Sequence, residues 1–150
     1  MPLTGERKPM PVVHTQFTEV EPRLSPDVRW LAYVSNDTGR NEVYVQPFPP
    51  TGAKWQVSNN GGRQPIWRED GKELFFVSDD RKFYAVDVRG GQTFDYGVPR
   101  FLFDMRANVF NTANSYAPSR DGQRFIVNML LDNGTAPINV VLNWTAAVKK

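Results

Sequence analysis

Three aspartates recur in similar sequence surroundings, and a carboxylate can act as a general acid or base or bind a cation. Asp27, Asp70 and Asp121 lie 43 and then 51 residues apart, each shortly before an apolar stretch. An aspartate in a turn commonly accepts hydrogen bonds from backbone N–H groups two residues later. We therefore interpret the three aspartates as structural turn residues and not as a catalytic group.

His14 is the only histidine among the 150 residues, so a Ser-His-Asp triad or a histidine-based metal site would have to use it. It lies in a segment with prolines at positions 9 and 11, and no partner at metal-ligand spacing accompanies it. The chain has no cysteine, which excludes a catalytic thiol, a thiolate metal site and a disulfide. We interpret His14 as non-catalytic.

Asparagine and aspartate are frequent between the apolar stretches, and their oxygen atoms suit Ca²⁺. They do not have the spacing of an EF-hand loop, and both are ordinary turn residues. Calcium is therefore an open alternative, and no cofactor is assigned from these residues: Asn36, Asp37, Asn41, Asn59, Asn60, Asp79, Asp80, Asn108, Asn111 and Asn114.

The charge and hydropathy of the chain exclude several classes of partner. The net charge is +2, and lysine and arginine are scattered singly, which argues against a nucleic-acid surface. No stretch approaches the roughly 20 apolar residues of a membrane span, and the N-terminus has no apolar signal-peptide core. We expect a soluble chain without membrane insertion, and the sequence does not define its location.

Short strands surround each aspartate turn, and a repeat of roughly 40–50 residues with about four strands is typical of a β-propeller blade. We predict an all-β domain over residues 9–150, preceded by a disordered segment at 1–8. The blades are predicted at 21–59, 63–104 and 114–144, and the last lacks its outer strand.

An additional apolar segment at residues 9–15 contains two prolines, which suits a strand at a sheet edge. With this strand the chain has enough strands for three four-stranded blades, too few to close a ring. A lone arc would expose two apolar faces to water. We predict a homodimer that closes a six-bladed propeller, in which each N-terminal strand completes the partner's last blade. The dimer-closing residues are Val12, Val13, His14, Val140, Leu142 and Trp144.

Two other arrangements stay open at this point. The two halves could associate edge to edge without exchanging strands. The chain could also be a fragment of a longer propeller, because it begins in an outer strand.

Leu24–Asp27, Trp30–Ser35 and Glu42–Val45 resemble the TolB-like, WD-repeat-like family of β-propeller repeats. Gly61-Gly62 before Gln64-Pro65, and Val141–Trp144 near the end, are similar to the propeller segments that follow bacterial serine/threonine kinase domains. The resemblance implies a bacterial protein, compatible with an extracytoplasmic location. No Gly-rich loop, His-Arg-Asp loop or Asp-Phe-Gly motif of a kinase is present.

The turns depart from the family pattern at a few positions. Val28 stands where the repeat usually has glycine, as Gly71 and Gly122 do. Glu69 and Arg120 stand where it usually has proline. These departures weaken the turn signature without changing the predicted fold.

The resemblance implies a non-catalytic binding or scaffold module, because this family uses propellers mainly as interaction platforms. Its loops and central channel would be presented to a protein, a peptide or a small ligand. The channel-mouth residues are predicted to be Arg63, Gln64, Asn108, Asn111 and Asn114. The alternative is a Ca²⁺-dependent hydrolase of lactones or esters, since some six-bladed propellers hold calcium in the channel.

Overall fold

The computed structural model describes residues 11–89, 91–105, 115–128 and 138–141. This part of the chain is all-β: twelve strands form antiparallel sheets, and the described residues contain no helix. Accordingly, nothing in these ranges is a helix able to span a bilayer.

The first sheet contains four strands in the order of the chain: β1 (Glu19–Leu24), β2 (Trp30–Ser35), β3 (Glu42–Pro47) and β4 (Trp55–Gln56). β2 is buried along its whole length and is apolar at every position but the last, which explains why it lies inside the sheet. The sequence predicts these strands within a few residues of their observed ends.

The second sheet contains β5 (Arg63–Trp67), β6 (Glu73–Val77) and β7 (Lys82–Arg89). The long strand β7 pairs with two short partners, β8 (Asp95–Tyr96) and β9 (Arg100–Asp104). β9 ends at residue 104, as does the blade predicted at 63–104, whereas β8 has no signal in the sequence. A strand of two residues is too short to show an alternating pattern.

The third sheet has the order β10 (Tyr116–Pro118), β11 (Phe125–Asn128) and β12 (Ile138–Val141). Three strands are described here, against four in the first sheet. Leu142 and Trp144, predicted to close a dimer, lie outside the described residues, as does the segment predicted to be disordered at 1–8. Val140 lies in β12.

The three sheets pack face to face, with the second sheet in the middle. Trp30, Ala32 and Val34 of β2 share one buried cluster with Leu74 and Phe76 of β6. The opposite face of β6 forms a second cluster with the third sheet, which comprises Phe75, Val77, Phe83, Ala85, Leu102, Met105, Tyr116, Phe125 and Val127. Successive β6 residues point alternately into the two cores, so the second sheet connects the first sheet to the third.

The N-terminal segment packs on the first sheet of its own chain, and its role as the outer strand of a partner's blade stays a prediction. Residues 11–15 form no strand, and Val12 and Val13 instead pack on the outer face of the first sheet, against Leu31, Tyr33 and Tyr44. Pro11 has no backbone N–H, and the segment lies over the face of the sheet and not beside an edge, so no ladder forms. Of the predicted dimer-closing residues here, Val12 and Val13 are half-buried and His14 is exposed.

The repeated aspartates close the first turn of each sheet. Asp27 accepts hydrogen bonds from Ser25 Oγ at 2.6 Å and Arg29 N at 3.2 Å, and Asp121 accepts from Ser119 Oγ at 2.5 Å and Gln123 N at 3.0 Å. Asp70 accepts from Lys72 N at 3.0 Å. These contacts confirm the interpretation of the three aspartates as turn residues.

The same contacts predict how stability responds to acid. Serine hydroxyls hold the pKa of Asp27 and Asp121 below the ordinary 3.8, and the Arg68 guanidinium does so for Asp70. A carboxyl whose pKa falls on folding adds stability that is present above its ordinary pKa and lost as the pH falls through the folded value. We therefore expect the free energy of unfolding to drop below about pH 4, in part because of these groups. Urea denaturation at pH 5 and pH 3 should show a smaller drop for the triple variant Asp27→Asn, Asp70→Asn, Asp121→Asn, and an equal drop would contradict the assignment.

Candidate functional site at the converging edge strands

The edge strands β1, β5 and β10 come together through residues at matching positions of the three sheets. Glu21, Gln64 and Ser115 lie 43 and 51 residues apart, the same intervals as the turn aspartates. The backbone N–H of Gln64 donates to the Glu21 carboxylate. Ser115 N then donates to Gln64 Oε1 at 3.0 Å, and Ser115 Oγ donates to the same oxygen. A continuous line of hydrogen bonds thus joins all three sheets.

A bulge in each of the first two edge strands aims these side chains at the next sheet. Glu21 has a φ of 56° and Gln64 a φ of 54°, and the strand register shifts between Val20 and Arg23 and between Arg63 and Ile66. A non-glycine residue in this conformation is uncommon and costs of order 1–3 kcal/mol, so the surrounding contacts must hold it. β-bulges redirect side chains in this way.

A second set of contacts runs parallel to the first. Trp67 Nε1 donates to the carbonyl oxygen of Arg23 at 3.0 Å, and the Tyr116 hydroxyl donates to the carbonyl oxygen of Gln64 at 2.6 Å. Burial, with the nearby Glu21 charge second, raises the pKa of Tyr116 well above its usual value. Its hydroxyl therefore stays protonated and acts as a donor. We call Glu21, Arg23, Gln64, Ser115 and Tyr116 the edge-strand cluster.

The predicted channel-mouth residues differ in their burial and in their contacts. Gln64 is buried, with 4% of its surface exposed, and its side-chain oxygen binds the third sheet. Arg63 is half-buried, and its Nε lies 3.4 Å from Asp79 Oδ1. Asn108, Asn111 and Asn114 lie outside the described residues. Glu21, which binds Gln64, is not among the predicted channel-mouth residues, and the shared spacing of 43 and 51 residues is the signal that identifies it.

Two buried carboxylates elsewhere are occupied by structural partners. Glu42 is fully buried; its carboxylate accepts from the Ser58 hydroxyl, from Gly61 N at 3.0 Å and from Arg40 Nε at 2.6 Å. Glu73 lies 2.6 Å from Arg68 and 3.1 Å from Arg100. Burial raises the pKa of Glu73, and the charges of the two arginines oppose that rise.

The described residues give no support for a metal centre. Within them, no three side chains of His, Cys, Asp or Glu come together as a metal site would need. The calcium alternative stays a prediction.

The chain was compared with family models, with curated protein sequences and with solved structures. No family model and no curated protein sequence matches the chain. Its structure is similar to the crystal structure of TolB from Acinetobacter baumannii, at 18% sequence identity and a TM-score of 0.44. The match covers 91% of this chain but 44% of that chain, so this chain spans less than half the length of the structure that it matches.

Proposed function

We propose that the chain is a non-catalytic binding module that forms half of a six-bladed β-propeller, and that two copies close the ring. The proposed channel runs along the edge-strand cluster, where three edge strands of each copy meet. The observation that carries the proposal is the line of hydrogen bonds from Glu21 through Gln64 to Ser115, because it aligns three sheets side by side around one edge.

The outer faces of the stack support closure by a second copy. The second sheet packs against a neighbouring sheet on each face, and each end sheet packs against one sheet only. On the first sheet the outer face carries Leu31, Tyr33 and Tyr44, which are buried with Val12 and Val13 packed against them, and the Tyr44 hydroxyl has no hydrogen-bond partner among the described residues. On the third sheet, Ile126 is 49% exposed on the side opposite Phe125 and Val127. The exposed Ile126 at one end, and an outer face at the other end that only Val12 and Val13 are seen to cover, favour a head-to-tail partner.

The position of the N-terminal segment supports the exchange of a strand. Val12 and Val13 lie over the face of the first sheet, and Gln46 Nε2 donates to the carbonyl oxygen of Val12 at 3.0 Å. A partner's third sheet docked on this face would bring its β12 edge close to residues 11–15. In the proposed ring these residues become the outer strand that completes the partner's third sheet.

The proposed channel favours a polar ligand such as a peptide or a small molecule with hydrogen-bonding groups. Glu21 and Arg23 are both half-buried on β1, so each side chain presents part of its surface at the edge. Two copies would place two carboxylates and two guanidinium groups around one axis. Such a site recognises shape and charge without a nucleophile.

The mass in solution tests the assembly. We expect light scattering after size exclusion to give about 34 kDa, twice the 17.1 kDa of one chain, and to keep this value on dilution to micromolar concentration. A chain that stays at 17.1 kDa at every concentration would overturn the ring.

A combined stability and activity assay separates a binding module from the hydrolase alternative. We expect millimolar Ca²⁺ to leave the unfolding temperature unchanged and a chromogenic ester or lactone to hydrolyse no faster than in buffer. A ligand of the native state must raise the unfolding temperature as its occupancy rises. A calcium-dependent rise together with turnover would therefore favour the hydrolase.

A further inference from the structure

We infer that Val28 of one copy is the side chain that fills an apolar hollow on the third sheet of the other copy. The inference rests on the proposed function, because it assigns the contact that would close the ring. Val28 follows the turn aspartate Asp27 by one residue, as Gly71 follows Asp70 and Gly122 follows Asp121. All three residues have positive φ values, 60°, 73° and 68°.

Glycine is required at this position where the second and third sheets meet. A Cβ atom on Gly122 would lie 2.8 Å from Arg68 Cδ, 3.1 Å from Phe75 Cζ and 3.3 Å from Glu73 Oε2. Real Cβ atoms essentially never approach another atom as closely as 2.8 Å, so a side chain at residue 122 would displace the side chains that it meets on the second sheet. The turn of the third sheet therefore sits directly over three side chains of the second sheet. The corresponding Gly71 is less crowded, since a Cβ atom there would meet only Pro26 Cδ, at 3.7 Å.

Residue 28 is a valine where the other two turns have glycine, and this lowers the stability of the isolated chain. A β-branched residue with positive φ is strained by of order 1–3 kcal/mol. Val28 is also 51% exposed, so in one chain its burial is incomplete and offsets that strain only in part. An observed backbone outlier of this kind points to a function, and an exposed valine at the end of a stack points to a contact.

The hollow on the third sheet lies where the repeat places the matching partner. The residues that correspond to Arg68, Glu73 and Phe75, 51 positions later, are Ser119, Arg124 and Ile126. All three line a hollow of about 250 Å³ together with Ala117, Pro118 and Phe125. Serine replaces arginine and isoleucine replaces phenylalanine, so space exists where Gly122 meets a full surface.

The hollow and Val28 are therefore complementary, and they lie at opposite ends of the stack of three sheets. When a second copy continues the stack, its residue 28 takes the place over Ser119, Arg124 and Ile126 that Gly122 takes over the second sheet. A closed dimer contains this contact twice. The larger side chain at residue 28 and the smaller side chains at residues 119 and 126 compensate each other, which distinguishes this interface from the junction of the second and third sheets.

Substitutions on both sides of the contact test the inference by the dissociation constant of the dimer. Burying a valine is worth about tenfold in affinity, so Val28→Gly should weaken a dimer with two such contacts about a hundredfold. Val28→Lys should abolish the dimer, because it would bury an ammonium group beside the guanidinium of Arg124, which lines the hollow. Val98→Lys is the control: Val98 is 88% exposed and does not line the hollow, so this variant should dimerise normally.

A compensating pair makes the test specific to this contact. Ile126→Phe restores the type of residue found at Phe75 and should weaken the dimer at least tenfold, since the ring would fill the hollow against Val28. Combining Ile126→Phe with Val28→Gly recreates the pairing of Phe75 with Gly122, and we expect tighter binding than in the Ile126→Phe variant. Val28→Gly should also raise the unfolding temperature of the dissociated chain by relieving strain.

The outcomes separate this inference from the proposed function. A wild-type monomer at every concentration would overturn the ring and the contact together. A stable dimer whose dissociation constant changes less than threefold in both Val28→Lys and Ile126→Phe would overturn the contact alone. In that case something other than Val28 of a second copy covers the hollow.

Discussion

The Phe83→Ala variant is expected to lose about 3–5 kcal/mol of unfolding free energy, the usual cost of removing a fully buried phenylalanine. Phe83 has no exposed surface, and its ring lies 4.6 Å from Tyr116, 4.9 Å from Phe103 and 4.9 Å from Phe125 between ring centroids. It contacts strands of both the second and the third sheet, so the cavity would open where they join. Urea denaturation at one fixed protein concentration measures the loss, since dimerisation makes stability depend on concentration.

A matched control variant shows whether the loss of stability is specific to the junction of the second and third sheets or follows the removal of any aromatic ring. Phe101 lies on the same sheet but is 43% exposed, and its ring lies 6.1 Å from Tyr84. Phe101→Ala should cost less than half as much as Phe83→Ala, because truncating an exposed ring removes less burial and leaves no closed cavity. Equal losses in the two variants would mean that the second and third sheets do not share a core around Phe83.

The strands that form these cores were predictable because their residues carry local signals. Trp30–Val34 and Leu74–Val77 are continuous apolar runs that follow a turn, and a buried strand is typical of such a run. Residues 11–15 have a shorter apolar signal, the pair Val12-Val13, and form no strand within the single chain. Their contacts depend on which face or edge lies nearby, and neither composition nor periodicity describes that.

The edge-strand cluster was only partly predictable for a different reason. Its contacts rely on bulges at Glu21 and Gln64 with positive φ, and neither residue type favours that conformation. What the sequence does contain is the spacing: Glu21, Gln64 and Ser115 keep the same intervals as the turn aspartates. The intervals of 43 and 51 residues, counted from Glu21 as they are from Asp27, lead to Gln64 and Ser115. The same intervals align Val28 with Gly71 and Gly122, so the first sheet has a side chain at this turn position where the other two sheets have glycine.

The Glu42→Ala variant is expected to lose about 2–4 kcal/mol, because removing a buried acceptor leaves its donors without partners. The Glu42 carboxylate binds the Ser58 hydroxyl and the backbone N–H of Gly61, both buried where the chain crosses from the first sheet to the second. Arg40 is half-exposed and can turn to water, so most of the loss comes from the other two groups.

Two further variants show whether this loss reflects buried hydrogen bonds or charge alone. Glu42→Gln keeps one oxygen acceptor and should lose less than Glu42→Ala, by about 1 kcal/mol or more. Glu69→Ala removes a carboxylate whose pair with Arg120, at 2.8 Å, is exposed on both sides, and should change stability by less than about 0.5 kcal/mol. Denaturation of all three variants in low and high salt completes the test. A loss in Glu42→Ala that disappears in high salt would assign the stabilisation to the exposed Arg40 charge, because salt screens exposed pairs and leaves buried hydrogen bonds nearly unchanged.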